Sequence, residues 1–341
     1  MLQYRIRLLI LTLLTLLSAS LTASADTWRL GQGPDFRPVS DSNDPFLMAA
    51  SRIEQFVYKG QTQAVQDGFE KLKKDFPEIT GPDLDIFIEA EILLSQGKFT
   101  KAYRSYDKLL IQHPYSELRE AVTDRQFAIG TAYLGGQKKR ILSLFNIKGY
   151  AEGVRIMERI VDRAPDSAIA TDAIIAVAEN YEQRQKYEEA YYKWEELSIQ
   201  GQTGQFAKKA MLSMARCMHA IYNKHPENKR PFYDASNLET AKTLYEEFKK
   251  VYPNDANDFG IDEIISQIIE QLAQKQLSIA QYYQRTSGTQ KASDESGIDP
   301  AKLYFNMVIE SFPDSKAAKT ANKILNKNTD SKETKNEERK S

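Results

Sequence analysis

Between residues 45 and 326 the chain repeats one pattern of apolar positions. A small residue is followed four places later by an aromatic or large apolar residue, and three places after that by another apolar one. A residue paired with proline then closes the segment. Val65, Phe69, Leu72 and Phe76-Pro77 form the first instance, and Ala102, Tyr106, Leu109 and His113-Pro114 the second. Gly153, Met157, Ile160 and Ala164-Pro165 follow, and then Ala190, Trp194 and Leu197 with a degenerate end at Gly201-Gln202. Ala241, Tyr245, Phe248, Tyr252-Pro253 and Ala301, Phe305, Val308, Phe312-Pro313 complete six registers. Offsets of four and seven put the three side chains on one face of a helix. The proline cannot continue that helix, and it restricts the residue before it to extended geometry.

Each register has a second amphipathic segment ahead of it. Ile86, Ala90 and Leu93 precede Ala102, and Ile174, Val177, Ala178 and Tyr181 precede Ala190. The pairs Ala90 with Ala102 and Ala178 with Ala190 predict two helices in close contact. A helix–turn–helix unit of this kind is the pattern of the tetratricopeptide repeat (TPR). The expected fold is all-α, a TPR-type helical-hairpin solenoid of about six units. Ser315–Asn326, with Ala317, Ala318, Ala321 and Ile324, is expected to be a C-terminal capping helix.

Two of the steps between registers are near the minimal period and three are longer. The added length falls in Gly135–Lys148, Asn223–Tyr233 and Thr286–Asp299. Two readings stay open for these segments: extended helices with surface loops, or places where a partner docks.

The ends differ in kind. Residues 1–25 read as a secretory signal, with Arg5 and Arg7 ahead of the apolar run Leu8–Leu17 and a small-x-small site at Ala23-Ser24-Ala25. The apolar run is well short of the roughly 20 residues that span a bilayer. Residues 26–44 hold turn formers, two prolines and no apolar period, which predicts an extended lead-in. Residues 327–341 hold no apolar residue and read as a disordered charged tail. The expected body divides into N-terminal TPR units over 45–202 and C-terminal units with the cap over 203–326. No Cys stands at the start of the expected mature chain, so lipidation there is not expected.

Charge and composition narrow the chemistry. The 341 residues carry 46 Lys+Arg against 47 Asp+Glu, a net charge of −1. Removal of Arg5 and Arg7 with the leader leaves 44 against 47, or −3. No electrostatic excess points to nucleic acid. One cysteine, Cys217, excludes an internal disulfide framework and a multi-cysteine zinc site. Only His113, His219 and His225 are available to a histidine metal centre. Cys217 and His219 lie two apart on a helical segment and do not face each other, so a core thiol and a partly exposed imidazole are expected. The pairs Glu188-Glu189, Glu195-Glu196 and Glu246-Glu247 likewise diverge on helix surfaces and read as solvated faces. Lys138-Lys139-Arg140 and Lys208-Lys209 are short basic clusters interleaved with acids. No phosphate loop, HExxH or GxSxG occurs. The chain is read as a non-enzyme with no cofactor, no metal and no small-molecule substrate.

From Phe232 onward the chain resembles the BamD (YfiO) family of outer-membrane assembly factors. The resemblance is carried by Leu238–Asn254 (LETAKTLYEEFKKVYPN), Leu272-Ala273 with Ile279–Tyr283 (IAQYY), and Ala301–Ala318 (AKLYFNMVIESFPDSKAA). It implies a TPR protein at the periplasmic face of the outer membrane, working with a BamA-type barrel protein and receiving unfolded β-barrel segments. The expected function is therefore a periplasmic scaffold in β-barrel assembly; the alternative is a generic TPR adaptor in envelope biogenesis. With the second unit as a ruler, the partner groove of the first three units is expected to include Tyr58, Phe87, Glu91, Phe127 and Thr131.

Overall fold

The computed structural model describes residues 27–28, 38–39, 45–141, 145–199, 204–287 and 299–338. The leader at 1–25 lies outside them, as does most of the 26–44 lead-in; within it, Thr27–Trp28 (β1) pairs antiparallel with Pro38–Val39 (β2). The chain divides into two compact units, Met1–Ile156 and Met157–Ser341.

In the first unit α1 (Pro45–Tyr58) pairs with α2 (Thr62–Asp75), and α3 (Pro82–Ser95) with α4 (Phe99–Gln112). Then come α5 (Arg119–Leu134), a hairpin of β3 (Lys138–Ile141) and β4 (Phe145–Lys148), and α6 (Tyr150–Arg163), within which the unit ends. The second unit pairs α7 (Ala168–Gln183) with α8 (Tyr187–Ile199), and α9 (Gln205–Asn223) with α10 (Ser236–Val251). A short helix α11 (Pro253–Asp258) leads into α12 (Ile261–Ser287), which pairs with α13 (Pro300–Ser311) and with α14 (Lys316–Glu338). Both units are all-α arrays of TPR-type helical hairpins, apart from the two short strand pairs.

The register read from sequence is the register of the core. All six pairs of +4 and +7 side chains are buried: Phe69 and Leu72, Tyr106 and Leu109, Met157 and Ile160, Trp194 and Leu197, Tyr245 and Phe248, Phe305 and Val308. Burial of each such side chain favours the fold by about 1.5–3 kcal/mol. The alanines at 90, 102, 178 and 190 are fully buried where paired helices meet. The third register has glycine for a physical reason. A Cβ on Gly153 would lie 2.9 Å from the Gly130 carbonyl oxygen and 2.9 Å from Leu134 N, so α6 meets α5 closer than alanine allows.

The closing prolines impose one geometry. Phe76, His113, Tyr252 and Phe312, each before a proline, have φ between −127° and −138° and ψ between 56° and 69°. This ends the helix one residue short of the proline, as the steric restriction requires. Pro253 goes further and opens α11 at its first position, where its missing N–H costs nothing. The hairpin turns are also alike. Gly60 and Gly97 take φ of 67° and 68° five residues before Val65 and Ala102, and Gln185 takes φ 57° five before Ala190.

The added segments do not share one form. Residues 138–141 and 145–148 pair antiparallel as β3 and β4, so these segments are neither extended helix nor plain loop. The 223–233 stretch is pinned: Arg230 donates to the carbonyls of Asn223 (3.0 Å) and His225 (2.8 Å), and Tyr222 Oη donates to the carbonyl of Arg230 (3.1 Å). Lys275 of α12 donates to the carbonyls of Pro231 (3.2 Å) and Tyr233 (2.5 Å). Of the third, 288–298 lies outside the described residues.

The C-terminal cap starts as expected and ends later. Ser315 Oγ accepts from Ala318 N at 2.9 Å, and Glu270 accepts from the N–H groups of Lys316 and Ala317. Ala317, Ala318 and Ala321 are buried. The stretch read as a disordered tail from 327 instead continues the helix to Glu338. Nothing between Lys316 and Glu338 breaks a helix, since neither glycine nor proline occurs there.

Candidate functional site

The first helices of the first three hairpins place Glu54 and Tyr58 (α1), Glu91 (α3) and Arg125 (α5) side by side. Arg125 Nε donates to Glu91 Oε1 at 2.9 Å, and its Nη1 donates to Glu54 Oε1 at 3.0 Å. The same Nη1 reaches the Tyr58 hydroxyl at 3.4 Å, and the guanidinium lies 5.5 Å from the Tyr58 ring centroid. Tyr106 Oη, from the second helix of its hairpin, also donates to Glu91 Oε1. Glu91 is 1% exposed, and a charge so placed is tolerable only when paired. Burial works against the Arg125 charge, but Glu91, Tyr58 and Glu54 together raise its pKa above the ordinary arginine value. Burial, with Glu91 beside it, pushes the Tyr106 phenol well above 10. The cluster is an arginine-centred clamp across three hairpins.

The five residues expected to form a groove separate into two groups around this clamp. Tyr58 is 64% exposed, Thr131 is exposed and Phe127 is half-buried. Phe87 is buried, packed between Phe69 (ring centroids 6.5 Å apart) and Tyr106 (6.0 Å). Glu91 is buried in the clamp. Phe87 and Glu91 therefore lie in the packed interior, whereas Tyr58, Phe127 and Thr131 keep solvent-accessible surface. Glu120 and Asp124 join them on the outer side of α5. The sequence reading passed over Arg125, although it follows Glu91 by 34 residues, one repeat period.

The second unit repeats the clamp. Glu182 on α7 accepts from Trp194 Nε1 at 2.6 Å and from Arg216 Nη2 at 2.9 Å, and Arg216 again follows its carboxylate by 34 residues. A cavity of about 390 Å³ lies beside this pair, lined by Glu182, Gln183, Tyr187, Arg216, Cys217 and Ala220.

The residues that could carry chemistry are occupied otherwise. Cys217 is 1% exposed, and burial, with Glu182 nearby, pushes its thiol up to about 12. That is the opposite of an activated nucleophile. Burial lowers the His219 pKa; its ring meets Gln271 at 3.3 Å and the Tyr245 ring edge-on. The paired carboxylates hold lysines: Glu188 with Lys224, Glu189 with Lys186, Glu196 with Lys193, Glu246 with Lys242. Among the described residues no group of three or more His, Cys, Asp or Glu side chains could hold a metal ion, and no helix is long and apolar enough to cross a membrane.

No protein-family model and no curated protein matches the chain in sequence. Solved structures match it only loosely. A tetratricopeptide repeat protein from Parabacteroides merdae is 15% identical over 82% of this chain and 97% of that one, with a TM-score of 0.31. A monomeric IFIT1 variant with m7Gppp-AAAA is 13% identical over 84% and 73%, with a TM-score of 0.25. The human IFIT1 dimer with m7Gppp-AAAA is 13% identical over 82% and 72%, with a TM-score of 0.24. Overlays this loose carry no argument about function, and the repeat assignment rests on the hairpin packing itself.

Proposed function

We propose that this protein is a non-enzymatic, exported scaffold that holds extended protein segments on the first helices of its hairpins, in the service of outer-membrane β-barrel assembly. The observation that carries the scaffold reading is the Arg125 clamp. It fixes three helices side by side and leaves Tyr58, Phe127 and Thr131 at the surface above a packed floor. Aromatic side chains on a preorganised surface give large contact area at little entropic cost.

The envelope setting rests on the leader-like residues 1–25. The barrel-assembly role, with a BamA-type partner, rests on the resemblance of Leu238–Asn254, Ile279–Tyr283 and Ala301–Ala318 to the BamD family. Crosslinking followed by pull-down from envelope extracts identifies the partner, with binding to an isolated BamA-type periplasmic domain as the direct check. Peptides that end in an aromatic residue, as barrel strands do, should bind more tightly than scrambled ones, and Tyr58→Ala should weaken them. Equal affinity for both, with no BamA-type contact, removes the barrel role and leaves an adaptor elsewhere in the envelope.

A further inference from the structure

The surface above the clamp has a definite charge. Glu120, Asp124, Phe127 and Thr131 follow one another at offsets of four, seven and eleven, which is one side of α5. Glu54 and Tyr58 of α1 stand near Asp124, close enough for Glu54 and Asp124 each to act on the Tyr58 phenol and for Glu54 to act on Asp124. Arg125 faces inward and is already shared by Glu91 and Glu54. Among the described residues, Glu120 and Asp124 have no ion-pair partner. Both carboxyls are raised from their ordinary values, chiefly by burial, with Asp124 adding to this at Glu120 and Glu54 at Asp124. Arg125 offsets this only in part at Asp124. The surface is therefore short of positive charge, although the whole chain is nearly neutral.

Three observations bear on what supplies that charge. The carboxylates do not converge with other ligating groups into a set that could hold a metal ion. The Tyr58 ring, with Arg125 to one side, is 64% exposed and open to a further cation or ring. From Glu120 to Thr131 the α5 surface runs about 16 Å at 1.5 Å per residue. That matches about five residues of extended chain.

We propose that the surface formed by Glu54, Tyr58, Glu120, Asp124, Phe127 and Thr131 takes an extended partner segment of about five residues bearing Lys or Arg beside an aromatic side chain. The cation meets Glu120, Asp124 and Glu54, and the ring meets Tyr58 and Phe127. This rests on the scaffold reading above and names the chemistry of the segment it holds. It also separates local from net charge, because binding is to depend on salt in a chain whose overall charge predicts almost none.

The test uses the full chain and dye-labelled nine-residue peptides in three versions, each with a central Phe: two flanking Arg, two Gln, or two Glu. Fluorescence anisotropy should show the Arg peptide binding about tenfold more tightly than the Gln peptide, and the Glu peptide more weakly still. Raising salt from 0.05 to 0.5 M shortens the Debye length from about 14 to about 4 Å and should remove most of that preference. The double variant Glu120→Gln, Asp124→Asn, with its fold checked by circular dichroism, should bring the Arg-to-Gln ratio near one. If the Arg and Gln peptides bind equally well to the unaltered chain, the charge inference is overturned while the scaffold reading stands. If none of the three binds, both fall.

Discussion

Tyr106 and Trp194 stand at the same register position, four residues after a buried alanine, and each donates to a glutamate on the first helix of its own hairpin. In each case an arginine 34 residues beyond that glutamate binds the same carboxylate from the first helix of the following hairpin. Glu182 sits one helical turn nearer its anchor than Glu91 does, and Arg216 has moved by the same turn. The device thus keeps its geometry while sliding along the helices. One acceptor locks the two helices of a hairpin and the next hairpin together.

Breaking the clamp from one side should cost more than removing it. Glu91→Ala leaves the Arg125 charge with the half-exposed Glu54 as its remaining carboxylate, removes the acceptor of the Tyr106 hydroxyl, and should destabilise the protein by about 1.5–3 kcal/mol. Glu91→Leu combined with Arg125→Met should recover most of that loss. Urea unfolding of the variants measures both, and a single variant as mild as the double would show that Glu91 does not carry the pair.

The small positions admit no bulk. Gly153→Ala drives a Cβ against Gly130 O, and Ala190→Arg puts a charged side chain into a fully buried contact. Overpacking alone should cost about 1–3 kcal/mol in each, with charge burial added for the arginine. Thermal melts followed by circular dichroism should show a clear drop, and an unchanged midpoint would place the register elsewhere.

His219 should make stability depend on pH in one direction. Burial lowers its folded pKa below the 6.5 of the unfolded chain, with Gln271 opposing and Arg230 reinforcing. Between those two values the unfolded state binds more protons, so stability declines as pH falls from 6.5 toward the folded value and levels off below it. Above pH 6.5 the group has no effect. Unfolding free energies at pH 7.5, 6.5 and 5.5 should show the decline, and His219→Gln should flatten the part due to this ring.

Export should leave a chain that begins at Asp26. Intact mass of the envelope fraction reads this directly, and a mass retaining residues 1–25 would turn the leader into an anchor.

The core was legible because it depends on the helix's own period: offsets of four and seven with a closing proline place Phe69, Tyr106, Trp194 and Tyr245 inside without reference to anything distant. Surface residues were harder to read. Phe87 and Phe127 look alike along their helices, but Phe87 is buried against rings from α2 and α4 while Phe127 stays half-buried. Arg125 went unread because its meaning lies one period away, at Glu91. The β3–β4 hairpin was hidden by charge, since Lys138-Lys139-Arg140 reads as a basic cluster before it reads as a strand. The last helix runs on past its final apolar residue, Leu325, because no glycine or proline interrupts it.

An oxidising compartment is hazardous to a lone thiol, which can cross-link two copies or capture a small disulfide. Cys217 is shielded on two counts: it is 1% exposed, and its burial disfavours the thiolate that would react. Exchange then has to wait for unfolding of the hairpins around it. The Ala178–Trp194–Cys217 core thus guards the thiol by packing, where disulfide-bonded secreted proteins do so by pairing a second cysteine.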